Sequence, residues 1–261
     1  YSWRKPVVKQ LLKTITQIIA RGPITYKYLT DELGLTNASL AANLAFLPLA
    51  RENESQETKL SGEYFTIVPS ELVWKYAREK NRTAYIRALT DVAVHILEHF
   101  PCSKLLILPH VLTPDTNDDT LAGRDLLLSL KRRGIEPLRI VFEERQLLPF
   151  QARQLLAGSR MVFTGRMHAA ISSFTCGVPA ISLSYSRKYW GIIGEYLGMN
   201  NYIIDVREHT WDEIEKLSLQ KLTMMLESYE NIQKEIMEKI PEMQKKAYEG
   251  IQQVAELLVK L

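Results

Sequence analysis

The pattern of hydrophobic positions changes near residue 60. Before that point, apolar residues between positions 3 and 20 recur at helical intervals, which predicts an amphipathic helix. A second, shorter helix is predicted over residues 25–33, where Gly34 provides a stop. Residues 38–49 are compatible with a strand or a loop, and the polar, charged segment 51–61 predicts a linker. We therefore expect a domain boundary near residue 60.

From residue 61 onward, short apolar runs alternate with helical patterns. Nearly continuous apolar runs are typical of strands buried on both faces of a parallel sheet. The predicted strands are residues 64–68, 104–110, 138–142, 161–164, 180–184 and 202–205. This alternation predicts an α/β fold, a Rossmann-like doubly wound parallel sheet of about six strands.

The last fifty residues show helical spacing almost throughout. Apolar positions recur at intervals of three and four, and Pro241 is expected to break the helix there. The sequence thus predicts three regions: residues 1–60 with mainly helical patterns, a sheet domain over residues 61–210, and long C-terminal helices over residues 211–261.

Composition narrows the class of protein. The 261 residues include 33 basic and 30 acidic side chains, a balance that gives no support for a nucleic-acid partner. The two cysteines, Cys102 and Cys176, have neither disulfide-framework nor metal-ligand spacing, so no metal or cofactor is predicted. With no apolar run approaching about 18 residues and no signal peptide at the start, we expect no transmembrane segment and a cytoplasmic location.

The segment 162–181 carries the most informative candidate chemistry. It reads as strand, turn, helix, turn and strand, with Gly165 ending the first strand and Gly177 closing the helix. In a parallel sheet, ligands collect at the turn after a strand, because the next helix directs unpaired N–H groups toward that place. Arg166 offers a planar fork of donors for carboxylate or phosphate, and His168 can transfer a proton near neutral pH.

An anion site would explain why two potential cations open this helix. Arg166 and His168 stand where the helix dipole disfavours positive charge, and a bound anion would compensate for it. The alternative is that both side chains are solvated and serve only a structural role.

Further candidates fall at the same predicted edge of the sheet. His110 follows the second strand of the sheet, and Arg187 and Lys188 follow Ser184 after the fifth. The alternatives are an ordinary loop histidine and a solvated surface turn. Asp118 and Asp119, just before a predicted helix, are expected to cap it rather than to act as a pair of acids. Glycine-rich nucleotide loops and a serine nucleophile elbow are absent from the sequence.

Several blocks of the sequence together resemble one known family. The block Gly165-Arg166-Met167-His168-Ala169, with Gly177-Val178-Pro179, Ser184-Tyr185 and residues 188–198 after it, resembles the C-terminal half of the polysaccharide pyruvyltransferases. Weaker blocks at residues 21–25, 43–46, 108–111 and 117–119 follow the family order. The resemblance runs from about residue 15 to residue 206.

The resemblance implies a fold, a reaction and roles for particular residues. The family is similar in fold to GT-B glycosyltransferases, with two Rossmann-like domains, and transfers the pyruvyl group of phosphoenolpyruvate to two sugar hydroxyls, which forms a cyclic ketal and releases phosphate. The expected partners are phosphoenolpyruvate and a saccharide acceptor. By resemblance, Arg166 and His168 would hold the donor, and His168 would be the general acid. Residues expected to bind substrate with them are Gly165, Met167, Arg21, His110, Ser184, Arg187 and Lys188.

Two departures from the family pattern leave other interpretations open. Only about twenty residues precede the block at Arg21. Residues 1–60 would then be a remnant of an N-terminal Rossmann-like domain, whose remainder lies elsewhere on a longer parent chain, and this chain could be inactive alone. Asn43 stands where many relatives have Asp. The alternatives are a GT-B glycosyltransferase or epimerase that uses a nucleotide sugar, and a non-catalytic binding or scaffold domain.

Overall fold

The computed structural model of the protein describes residues 4–49 and 60–259, and these form two compact units. The smaller unit comprises Tyr1–Pro48, Arg187–Asn200 and Glu238–Leu261, and the larger unit comprises Leu49–Ser186 and Asn201–Met237. These bounds differ from the division at residues 60 and 210, because two later segments fold with the N-terminal residues. Most of the predicted linker lies outside the described residues.

The smaller unit contains a two-stranded parallel sheet. Helix α1 (Arg4–Lys13) leads to β1 (Ile18–Ala20), which pairs with β2 (Ala38–Leu40). Between the strands, α2 (Pro23–Lys27) continues into a π-helical turn, Tyr28–Glu32. The buried residues Ala20, Leu29, Leu33 and Leu35 form a small core.

The predicted helix over residues 3–20 is wrong beyond residue 13. Ile18 and Ile19 belong to β1, because pairing with β2 satisfies their backbone groups and β-branched side chains favour a strand. Within α1, the apolar side chains Val7, Val8 and Leu11 are exposed. The described part of residues 1–48 is therefore a mixed α/β structure rather than a helical one.

The larger unit is organised around a six-stranded sheet, as predicted. All neighbouring strands are parallel, in the order β5-β4-β3-β6-β7-β8. The strands are β3 (Tyr64–Val68), β4 (Lys104–Ile107), β5 (Ile140–Phe142), β6 (Val162–Thr164), β7 (Ala180–Ser184) and β8 (Ile203–Asp205). Strand β4 ends earlier than predicted, since Pro109 has no N–H to donate to the ladder.

Helices connect the strands and cover the sheet. They are α3 (Glu71–Tyr76), α4 (Arg82–His99), α5 (Asp119–Arg132), α6 (Pro149–Ala157), α7 (Met167–Thr175) and α8 (Trp211–Glu227). Every residue of β3, β6, β7 and β8 is buried, which explains their continuous apolar character. None of the described helices combines the length and apolar character that a bilayer crossing requires.

The strand order creates one place where ligands are expected to bind. From β3 the chain moves outward through β4 to β5, and it then returns to β6 on the other side of β3 and continues to β8. In such doubly wound sheets the crevice lies outside the carboxyl ends of the two central strands, where the direction reverses. Here those strands are β3 and β6, and β6 leads into the segment that the sequence singled out.

The predicted break at Pro241 is wrong. Helix α9 (Tyr229–Val259) continues through this residue. Buried side chains on both sides, at Ile236, Ile240 and Met243, hold the helix together, while the proline itself is exposed. The ring removes one backbone hydrogen bond, to the carbonyl of residue 237, but packing of the apolar face outweighs that loss.

We expect Pro241→Ala to raise the free energy of unfolding by about 1–3 kcal/mol, because alanine restores the missing hydrogen bond and removes the clash of the ring. Urea denaturation followed by circular dichroism measures the change. Lys239→Ala, an exposed substitution two residues away, is the control and is expected to change the value by less than about 0.5 kcal/mol. A loss of stability in Pro241→Ala would contradict the prediction.

Candidate functional site

The turn between β6 and α7 is held in a tightly defined conformation. The Thr164 hydroxyl accepts the backbone N–H of Arg166 at 2.9 Å and donates to its carbonyl at 3.1 Å. A Cβ at Gly165 would lie 2.5 Å from a methyl of Val73 and 2.9 Å from the Cβ of Ser70, so only glycine fits between this turn and the start of α3. Arg166 then occupies the N-cap position of α7.

Arg166 is bound by the buried carboxylate of Asp119. Its Nε lies 2.9 Å from Oδ2 and its Nη2 lies 2.7 Å from Oδ1, a bidentate pair. The side chain of Asp119 is fully buried, and that of Arg166 is 12% exposed. The anion expected beside the α7 N-terminus is therefore, at least in part, a carboxylate of the protein itself.

Asp119 also organises two further segments. Its oxygens accept the backbone N–H of Glu71 at 3.1 Å and that of Val111 at 3.0 Å. These residues follow β3 and β4, and Arg166 follows β6, so one carboxylate connects segments that leave three neighbouring strands. Burial raises the pKa of Asp119, and Arg166 and the two backbone donors act against that shift by favouring the charged form.

Sequence reasoning identified only one of the two neighbouring acids correctly. Asp118 is the N-cap of α5, as predicted, and accepts the N–H of Thr120 at 2.9 Å. Asp119 is not a cap, because its carboxylate points to Arg166. The interaction spans 47 positions of sequence, so no local pattern could reveal it. The available signal was an acid adjacent to the cap of a helix at the edge of a parallel sheet.

The two candidate histidines differ in their surroundings. His168 lies in the first turn of α7 and is exposed. His110 lies on the loop after β4, and its pKa is lowered to about 4 by burial and by the positive charges of Arg166 and His168. His110 is therefore neutral at pH 7. The same electrostatic influence shows that the structure brings His110, Arg166 and His168 into one region.

Two other candidates in the larger unit are buried. Met167 opens α7 and packs in the core. Ser184 ends β7, and its hydroxyl donates to the carbonyl of Ser186 at 2.9 Å, which shapes the following turn. Their geometry supports the architecture of the sheet edge, and their role in binding a substrate remains a prediction.

The remaining candidates lie together in the smaller unit. Arg21, Arg187 and Lys188 are exposed and line a cavity of about 140 Å³ beside the start of α2. A Cβ at Gly22 would lie 3.3 Å from Ile192, so this glycine allows the two walls of the cavity to approach closely. The predicted site residues thus form one group in each unit.

The described part of the chain contains no set of side chains that could bind a metal ion. Across residues 4–49 and 60–259, no group of three or more His, Cys, Asp or Glu side chains could hold a metal ion. The rings of His95 and His99 lie on the face of α4 with centroids 4.0 Å apart and planes tilted by 35°. Their spacing reflects one helical turn.

We expect Asp119→Ala to lower the free energy of unfolding by about 3–5 kcal/mol, because a buried guanidinium and two backbone donors lose their acceptor. Arg166→Ala is expected to cost less, since the carboxylate keeps both backbone donors. Urea denaturation measures both values. The control is Arg124→Ala, which breaks the exposed Arg124–Glu144 pair and should cost less than about 1 kcal/mol. An equal or smaller cost for Asp119→Ala than for Arg166→Ala would contradict this prediction.

The lowered pKa of His110 predicts a pH-dependent stability. Between pH 6.5 and about 4, the unfolded chain binds a proton at this histidine and the folded chain does not, so the free energy of unfolding decreases as the pH falls through this window. His110→Gln removes this contribution. Denaturation at several pH values should therefore show wild type losing stability relative to the variant below pH 6.5, and parallel curves would refute the assignment.

Comparison with known proteins identifies the family. The sequence matches the family described as polysaccharide pyruvyl transferase over residues 1–187. No curated protein matches the chain.

Solved structures show the fold. The glycotransferase of kitacinnamycin matches with a TM-score of 0.53 and 14% identity, covering 94% of this chain and 54% of that one. UDP-GlcNAc 2-epimerase from Neisseria meningitidis bound to UDP-GlcNAc matches with a TM-score of 0.54 and 12% identity. The match covers 94% of this chain and 61% of the epimerase. Anabaena HepE in complex with UDP and glucose matches with a TM-score of 0.55 and 14% identity. The match covers 98% of this chain and 67% of HepE.

These similarities bear on the fold and the family separately. The chain spans about half the length of the first of these proteins. At such low identities the likeness shows the fold alone, and it confirms the predicted GT-B-like class. Because the family match extends over more than half of the sequence, this chain belongs to the polysaccharide pyruvyl transferase family, as its motifs predicted.

Proposed function

We propose that this chain contributes to an enzyme that transfers the pyruvyl group of phosphoenolpyruvate to hydroxyls of a saccharide. The observation that carries the proposal is the grouping of Arg166, His168 and His110 where β4 and β6 end, beside the crevice of the doubly wound sheet. Family membership supports a transferase with a saccharide acceptor. Phosphoenolpyruvate as the donor is our assignment.

The donor carries two anionic groups, a phosphate and a carboxylate. His168 lies at the N-terminal turn of α7, where backbone N–H groups and the helix dipole favour a negative charge. In the smaller unit, Arg21, Arg187 and Lys188 line a separate cavity of about 140 Å³, large enough for a small polar group of a substrate. We assign both groups as substrate-binding residues, and variants of each can be tested independently.

Arg166 is proposed to act from a fixed position. Its Nε and Nη2 are engaged by Asp119, so the direction of the guanidinium plane is set before a substrate arrives. Asp119 also offsets its charge. A fixed, partly neutralised guanidinium orients an anionic ligand more than it attracts one from solution.

The reaction requires a proton donor toward the methylene carbon of the enol. In our proposal, His168 gives a proton to that carbon, and the adjacent carbon becomes electrophilic. A sugar hydroxyl attacks this carbon and the C–O bond to phosphate breaks. A second hydroxyl of the sugar then completes the ketal. One hydroxyl proton returns to the imidazole of His168, and the other leaves with the phosphate. Atoms and charges therefore balance.

His110 is proposed to support this step without adding charge. Burial and neighbouring cations keep its imidazole neutral at pH 7. A neutral ring can accept or donate a hydrogen bond to a substrate hydroxyl, whereas a second imidazolium would oppose protonation of His168. The different environments of the two histidines therefore suit different tasks.

The donor assignment predicts that the purified chain binds phosphoenolpyruvate. We expect His168→Gln to weaken binding at least tenfold, a loss of about 1.4 kcal/mol, in isothermal titration calorimetry. Lys245→Gln, which removes one exposed cation from the smaller unit, is the matched control and should leave the affinity unchanged.

The outcomes separate the alternatives. Binding of a nucleotide diphosphosugar in place of phosphoenolpyruvate would support a GT-B glycosyltransferase or epimerase. Equal affinities for phosphoenolpyruvate in His168→Gln and in the control variant would refute the assigned donor residue. Absence of binding to both phosphoenolpyruvate and nucleotide diphosphosugars would favour a non-catalytic binding or scaffold domain.

A further inference from the structure

A larger cavity in the larger unit has no role in the site described above. It measures about 650 Å³ and is lined by α3, the start of α4, the first turns of α5 and Thr116. This volume falls within the range of about 300–1,000 Å³ that is usual for pockets holding organic ligands. The cavity therefore has room for more than a single sugar ring.

One wall of this cavity is apolar and held in place. The Trp74 side chain lines it, and its indole N–H donates to Oε2 of the buried Glu71 at 2.7 Å, which fixes the orientation of the ring. Leu121, on the first turn of α5, lines the same cavity and is 40% exposed. An oriented aromatic ring beside an exposed leucine suits the C–H face of a pyranose ring.

The two arginines of the cavity are paired with carboxylates. Arg82 donates to Glu71, with Nη2 2.8 Å from Oε1, and also pairs with Asp125. Arg124 pairs with Glu144 at 2.9 Å. A phosphate would have to compete with these carboxylates for its donors, so the cavity does not suit a strongly anionic ligand.

Paired charges suit a neutral polyhydroxylated ligand instead. The guanidinium of Arg82 and the carboxylate of Asp125 hold each other in fixed orientations and line the cavity together. Lys75 is held by Asn117 Oδ1 at 3.0 Å and by the carbonyl of Thr116. Such preorganised donors and acceptors can bind vicinal hydroxyls without transferring net charge to the ligand.

The cavity adjoins the Arg166 cluster through one residue. Glu71 lines the cavity, and its backbone N–H donates to Asp119, the partner of Arg166. A ligand against Trp74 would thus lie next to the elements that position Arg166. This arrangement places a site for a neutral ligand beside the proposed site of pyruvyl transfer.

We propose that this cavity is a saccharide subsite that binds a neutral oligosaccharide, with Trp74 and Leu121 as its platform and the Arg82–Asp125 pair at its polar side. The assignment rests on the proposed function insofar as the oligosaccharide is the acceptor. Binding itself can be tested without any transfer reaction.

The test is calorimetric titration with four neutral trisaccharides: cellotriose, maltotriose, triacetylchitotriose and β-1,4-galactotriose. We expect at least one to bind, and Trp74→Leu and Leu121→Ser each to weaken it at least tenfold. Leu128→Ser is the matched control, since Leu128 lies on the same helix, is 49% exposed and does not line this cavity. Thermal unfolding establishes that each variant is folded. If Trp74→Leu does not fold, Leu121→Ser still tests the proposal.

Each result has a defined meaning. Failure of all four trisaccharides to bind, or unchanged binding in Leu121→Ser, would overturn the subsite. Binding of UDP that Leu121→Ser abolishes would overturn it in favour of a nucleotide. Phosphoenolpyruvate is titrated into the same variants and should bind them equally. Trisaccharide binding without phosphoenolpyruvate binding would refute the proposed function alone, and the reverse result would refute the subsite alone.

Discussion

The buried carboxylate of Asp119 is the constraint on which the site depends. It accepts two hydrogen bonds from Arg166 and one each from the backbones of Glu71 and Val111, so segments that leave β3, β4 and β6 meet at one group. A buried charge is tolerated only when such donors replace water. The same four donors therefore stabilise the carboxylate and fix the geometry of three segments, one of which carries His110.

This constraint determines what each neighbouring side chain can do. Arg166 stands at the N-terminus of a helix, where a cation is disfavoured, and it is stable there because Asp119 offsets its charge. His110 lies in the positive field that remains and stays neutral, while His168 lies exposed on the first turn of α7. The surroundings of His110 thus fix its neutral state at pH 7, through burial and neighbouring positive charge.

The sequence predicted those features that depend on local pattern. Six apolar runs predicted six strands because burial on both faces leaves no polar alternation, and Gly165 marked a turn that admits no side chain. Interactions between distant positions decided the rest. Ile18 and Ile19 form a strand because β2 pairs with them, and α9 continues through Pro241 because buried side chains flank it. The Asp119–Arg166 pair joins positions 47 apart, which no spacing rule anticipates.

Charge balance separates the two kinds of ligand that the proposed reaction requires. In our proposal, the anionic donor lies at the first turn of α7, where backbone N–H groups favour negative charge and His168 is exposed. The neutral acceptor needs oriented donors and acceptors, as the arginine–carboxylate pairs near Trp74 provide. A phosphate would have to compete there with carboxylates that already hold Arg82 and Arg124. The pairing of these two arginines therefore favours two chemically distinct binding sites over one extended anion site.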